Sequence, residues 1–261
     1  MSDSLPVRPP RHRGIYLLPN LFTTGAMAAG FYAIVASIGG RYGDAAVAVF
    51  IAALLDGMDG RVARLTGTQS EFGVQYDSLS DLVSFGLAPS LVMYTWSLST
   101  LRDFGPLWGK LGWAAAFIYA ACAALRLARF NTQVGVADKR YFQGLASPAA
   151  AAVCMSFVWS MDKSDVTGAE LCFITPWIAA ITGLLMVSRF RYFSFKSLPL
   201  GDRQLVPFVW IVAALLILVL LYLDPPRVLL AGFTVYLLSG PVLTLWGLAA
   251  HRRRGRRGGV A

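Results

Sequence analysis

Four aspartates, Asp56, Asp59, Asp77 and Asp81, fall within two otherwise apolar stretches of a 261-residue chain. A carboxylate at membrane depth costs about 2.5–3.5 kcal/mol on insertion scales, so such groups line a cavity or hold something positive. At about 100° per residue, Asp56, Asp59, Gly60, Ala63 and Arg64 share one sector of a helix, while Asp77 and Asp81 share a face of the next. Two such faces can confront each other. Their hard oxygen donors suit Mg²⁺ or Mn²⁺, ions that keep positions open for substrate phosphates, and a diphosphate would complete the shell. Gly60 and Ala63 leave the sector bare for close approach of a phosphate or planar group. Arg64 adds a guanidinium fork. The alternative is an ion-paired helix end, with Arg61, Arg64, Arg126 and Arg129 neutralising the acids. His12 and His251 sit in basic clusters flanking the apolar region, so acid–base work falls to carboxylates.

The elements that must position these groups are membrane helices. At 56% hydrophobic and 14% charged residues the chain is too apolar for a soluble domain of its length. A span needs roughly 20 mostly apolar residues. About eight such stretches lie near 21–40, 45–65, 77–98, 108–130, 147–161, 170–188, 206–223 and 228–249. The fifth is short, which leaves seven open. The expected fold is all-α, a polytopic membrane bundle. Cys122, Cys154 and Cys172 each lie inside an apolar segment without metal or disulfide spacing, and read as core. The first span follows a basic segment but is too long for a cleaved signal and leads straight into more spans.

The net charge of +9 is a topology signal rather than a nucleic-acid footprint, and no nucleic-acid partner is implied. With eight spans and both termini cytoplasmic, 18 of the 23 Lys and Arg residues fall on the cytoplasmic side. An odd number would leave one basic terminus outside. Residues 1–14 read as a basic cytoplasmic leader, 15–250 as a single transmembrane catalytic domain, and 251–261 as a basic tail facing anionic lipid. The run from Gly25 to Gly30 is rich in small residues and reads as a helix-packing surface.

The order D-x-x-D-G-x-x-A-R, eight residues, then G-x-x-x-D-x-x-x-D resembles the signature of the CDP-alcohol phosphatidyltransferases. Asp56, Asp59, Gly60, Ala63, Arg64, Gly73, Asp77 and Asp81 match its eight positions. The resemblance implies a two-metal site of Mg²⁺ or Mn²⁺ held by Asp56, Asp59 and Asp77 with help from Asp81, and Asp81 as general base. It implies donor contacts from Gly60, Ala63, Arg64, Ser70 and Gly73, and from Asn20 and Thr23 in the run Pro19 to Thr24 that opens the first span. Capping alone would also explain that run. The resemblance implies a homodimer, and the charge bias places it in a prokaryotic cytoplasmic membrane with its active site toward the cytoplasm.

Three further segments, Asp81 to Pro89, Leu125 to Asn131 and Gly144 to Pro148, are similar to the membrane-type phosphatidylserine synthases within that family. The likeness covers about residues 15–150, within a family core of about 15–190. The substrates implied are CDP-diacylglycerol and L-serine. A serine acceptor brings a carboxylate that Arg126 or Arg129 could hold and an amine that Ser84 and Asn131 could orient. Anchoring at a helix end is the competing role for both arginines. The rivals are another acceptor (glycerol 3-phosphate, inositol phosphate or choline), an ion-coupled transporter, and a partner-binding membrane protein. Transport would place the acids near the midplane, with a second half echoing the first.

Overall fold

The computed structural model describes residues 17–68, 70–132, 141–193 and 208–257. Among them the chain is a helical bundle, α1 (Leu17–Ile38), α2 (Tyr42–Thr66), α3 (Glu71–Asp81), α4 (Ala88–Trp96), α5 (Pro106–Thr132), α6 (Ser147–Asp162), α7 (Thr175–Val187), α8 (Phe208–Leu223) and α9 (Pro225–Arg257). A π-helical turn, Leu82–Leu87, joins α3 to α4, and a 3₁₀ segment, Leu98–Phe104, follows α4. The third expected span is therefore one continuous helical body, 71–104, with a change of winding inside it. The leader, 1–14, lies outside the described residues. At the other end α9 runs on into the basic tail as far as Arg257.

Four helices are long and apolar enough to cross a membrane, Pro19–Ile38, Glu71–Phe104, Pro106–Thr132 and Pro225–Thr244. They make the chain an integral membrane protein. α2 has the length, at 25 residues, but carries Asp44 and the site aspartates. α6, α7 and α8 are shorter, at 16, 13 and 16 residues.

α1 and α2 form the most extensive helix contact. Its chemistry is that of small residues: Ala26, Ala33 and Ala36 of α1 and Ala45, Ala46, Ala48 and Ala52 of α2 are all buried. Side chains this short bring two backbones close enough for dispersion to hold them where lipid gives no hydrophobic drive. Large apolar side chains such as Phe31, Leu54, Trp113 and Leu215 are exposed, as a bilayer-facing surface requires. The three cysteines are buried and free.

Within the Gly25–Gly30 run, Gly30 has a definite task. A Cβ there would lie 2.7 Å from both Cα and Oγ of Ser84 on the π-helical turn. Glycine lets α1 touch that turn, and Ser84 Oγ then donates to the Ala26 carbonyl at 3.1 Å. Gly30→Ala is expected to destabilise the folded protein by about 1–3 kcal/mol through overpacking. Thermal unfolding in detergent will show it as a lowered Tm.

One feature departs from the all-α expectation. The connectors before α6 and after α7 pair as short antiparallel strands, β1 (Tyr141–Gln143) and β2 (Arg191–Phe193), with Phe142 opposite Tyr192. Three residues each are too few for a period-2 pattern to be legible. The Tyr192 hydroxyl donates to the Leu237 carbonyl of α9 at 3.1 Å, and its ring packs on Gly240, where a Cβ would collide. This ribbon ties the later helices to the N-terminus of α6.

Candidate active site

α2 and α3 meet as the helical spacing requires. One carboxylate oxygen from each of Asp56, Asp59 and Asp77 lies within 4.8 Å of the others. Asp81, on the last turn of α3, is in hydrogen-bonding reach of Asp56, so all four acids form one cluster. Asp59 is 5% exposed, and its Oδ2 accepts a 2.7 Å hydrogen bond from Thr23 Oγ1 on α1. The Thr23 backbone carbonyl accepts from Ser80 Oγ at 3.0 Å. Three helices are thus cross-linked at the base of the cluster.

Of the buried side-chain polar atoms among the described residues, Asp77 Oδ1 and Arg126 Nε have no hydrogen-bond partner. A buried acceptor of this kind costs about 1–3 kcal/mol unless something satisfies it. Three facing carboxylates with one lone oxygen make a donor set that fits a hard divalent cation. The ion-pair alternative fares worse, because none of the ion pairs seen between described residues includes any of the four aspartates.

The other residues singled out by sequence fall into three groups. Gly60 is exposed and open, with nothing within 4 Å of where a Cβ would stand. Ala63 is half-buried and Arg64 is exposed on the same stretch of α2. At the start of α3, Ser70 caps the helix by accepting from Gly73 N at 3.0 Å, and the Asn20 side-chain oxygen faces Gly73. Asn20, Ser70 and Gly73 are therefore neighbours beside the α2–α3 connection.

On α5, Arg126 Nη1 donates to Ser147 Oγ at 2.8 Å, and its guanidinium is the cation that faces Asp81. Arg129, one turn further on, is half-buried. Asn131 Nδ2 donates to Ser78 Oγ at 3.0 Å, which ties α5 to the residue after Asp77. Ser84 is the exception. It was expected to orient a substrate amine, and it lies fully buried against α1 with its hydroxyl donating to the Ala26 carbonyl. A serine in an apolar helix carries no sequence mark of which side it faces.

Thr23, expected on the donor side, holds Asp59. Two contributors escaped sequence reasoning. Ser147 lay inside a quoted motif, Gly144 to Pro148, without a role, and proves to be the partner of Arg126. Tyr236, from α9, is a further neighbour of Arg126. Nothing in the local pattern around Tyr236 marks it.

The family profile of the CDP-alcohol phosphatidyltransferases matches residues 16–188, and the chain belongs to that family. The CDP-diacylglycerol–serine O-phosphatidyltransferase of Helicobacter pylori (strain J99 / ATCC 700824) is 34% identical over 236 residues, 90% of this chain and 92% of that protein. The enzyme of that name from Mycobacterium bovis is 35% identical over 190 residues, 69% of this chain and 63% of its own. The archaetidylserine synthase of Methanothermobacter thermautotrophicus is 33% identical over 177 residues, 67% and 69% of the two chains.

Proposed function

We propose that this protein transfers the phosphatidyl group of CDP-diacylglycerol to the hydroxyl of L-serine and releases CMP, with a two-metal site of Mg²⁺ or Mn²⁺. The observation that carries the reading is the meeting of Asp56, Asp59 and Asp77 oxygens within 4.8 Å, with one buried oxygen left over. The family and the names of its relatives support the donor and the acceptor.

Asp56, Asp59 and Asp77, with a share from Asp81, would hold the metals. Bound there, divalent cations would neutralise the diphosphate and stabilise the leaving CMP. Asp81 takes the proton from the serine hydroxyl. The serine oxygen then forms a bond to the lipid-bearing phosphorus as the bond from that phosphorus to CMP breaks. Gly60, Ala63, Arg64, Ser70, Gly73 and Asn20 form the donor side, where the bare surface of Gly60 admits the nucleotide. Thr23 serves this side through Asp59. Arg126 holds the serine carboxylate, steadied by Ser147, while Arg129 and Asn131 border the acceptor side.

The site opens to the cytoplasm, in a prokaryotic cytoplasmic membrane, from a bundle of eight spans with both termini inside. The unit is one catalytic domain over residues 15–250, flanked by the leader 1–14 and the tail 251–261, and it works as a homodimer. The charge division supports this topology, since 18 of 23 basic residues fall on one side.

Purified protein given radiolabelled CDP-diacylglycerol and Mn²⁺ is offered serine, glycerol 3-phosphate, inositol phosphate and choline in turn. A lipid product that depends on serine is the expected outcome. A product with another alcohol and none with serine would overturn the acceptor assignment. Arg126→Gln is expected to raise KM for serine roughly tenfold or more, the worth of a hydrogen bond to a charged group. Its KM for CDP-diacylglycerol stays close to that of the parent.

A further inference from the structure

The π-helical turn between α3 and α4 has a cause in the sequence. In a regular α-helix the Phe85 carbonyl would accept from the N–H of residue 89, but residue 89 is proline. Proline has no N–H, and its ring presses on the carbonyl four residues before it. The helix relieves that pressure by widening: the Ala88 N–H reaches back five residues to the Val83 carbonyl instead of four. The Phe85 carbonyl, denied its regular helical donor by Pro89, has a partner on another helix. Tyr119 of α5 is fully buried, and its hydroxyl donates to the Phe85 carbonyl at 3.1 Å.

Widening alters the phase of everything on either side. An α-helix advances about 100° per residue, so one extra residue in a turn rotates the helix before it against the helix after it by a comparable angle. α4 is fixed in the core by Val92, Met93 and Trp96, all buried, and by the bond from Ser90 Oγ to the Ala116 carbonyl of α5, 2.7 Å. With α4 held, the winding of residues 82–87 decides which way Asp77 and Asp81 point. Asp81 is the residue immediately before the turn.

We propose that Tyr119 is a positioning residue: by occupying the Phe85 carbonyl that Pro89 leaves open, it holds the widened turn that aims Asp81 and Asp77 at α2. Tyr119 touches none of the four aspartates in any hydrogen bond seen here; it acts through the backbone. This deepens the function proposed above and rests on it for its catalytic readout.

Two variants of the full chain separate positioning from simple satisfaction of a buried carbonyl. Tyr119→Phe keeps the ring and removes the donor. Pro89→Ala added to it restores a backbone N–H that can fill Phe85 from within a regular helix. Turnover with Mn²⁺, Tm, and amide hydrogen exchange over residues 78–90 are measured for both.

Tyr119→Phe is expected to exchange faster over 82–89. It loses on the order of 10²-fold in kcat, as a misplacement of about 1 Å can cost, with KM for CDP-diacylglycerol within about threefold of the parent. The double variant is expected to regain Tm and protection while kcat stays low, because the regular helix carries Asp81 to the wrong phase. Recovery of kcat together with Tm in the double variant would overturn the proposal, as would unchanged kcat and exchange in Tyr119→Phe. Absence of serine transfer by the parent protein, with the exchange difference intact, would sink the functional reading and leave the structural one standing.

Discussion

An Asp81→Asn protein is expected to bind CDP-diacylglycerol as the parent does yet turn over about 10²–10⁴-fold more slowly, the range a general base supplies. Asparagine keeps the volume and the planar end group, so α3 and the widened turn behind it lose no packing. What goes is the ability to accept the serine proton. Asp81 suits that task by place: it is the acid on the last turn of α3, in reach of Asp56, and the one that Arg126 faces. Steady-state kinetics at saturating Mn²⁺ will separate kcat from the KM of each substrate. A near-normal kcat would remove Asp81 as the base.

The aspartate cluster was legible because its chemistry fixes residue types at helical spacings, three and four apart, which survive in a single sequence. The bundle was legible because a bilayer demands long apolar runs: each of the eight stretches carries a helix, four of them long and apolar enough to cross a membrane. What stayed hidden depends on contacts between distant segments. Nothing about Ser84 in isolation says that Gly30 lies against it, 54 positions earlier. Ser147 and Arg126 are 21 positions apart, and Tyr236 reaches the same arginine from α9. The strand pair needed two connectors to meet in space, with only three residues in each.

The widened turn lies between these cases. Pro89 is visible in the sequence and announces a disturbed carbonyl at Phe85, but a kinked helix, a helix end and a π-helical turn would all answer it. Tyr119 decides among them, and it lies 30 positions further along the chain. The same limit applied to Thr23, whose bond to Asp59 spans 36 positions.

Asp77→Asn is expected to abolish serine-dependent turnover and to weaken Mn²⁺ binding at least about 100-fold, the upper end of what even outer-shell changes cost a metal site. Asp77 carries the carboxyl oxygen that is buried and unpartnered, and it supplies one of the three oxygens that lie within 4.8 Å of each other. Its removal also predicts a crossing of stabilities that an ion-paired helix end would not give. In EDTA the clustered carboxylates repel one another, so a protein with one fewer charge there is expected to melt higher than the parent. Adding Mn²⁺ reverses the order, since an ion that binds only the folded state stabilises it in proportion to the logarithm of its concentration over Kd. The parent Tm climbs with Mn²⁺ and the Asp77→Asn Tm stays flat. Were the acids instead paired with Arg61, Arg64, Arg126 or Arg129, the substitution would strand a cation and lower Tm in EDTA. Melting curves with and without Mn²⁺, read beside Mn²⁺ titrations followed by electron paramagnetic resonance, decide between the two without any assay of transfer.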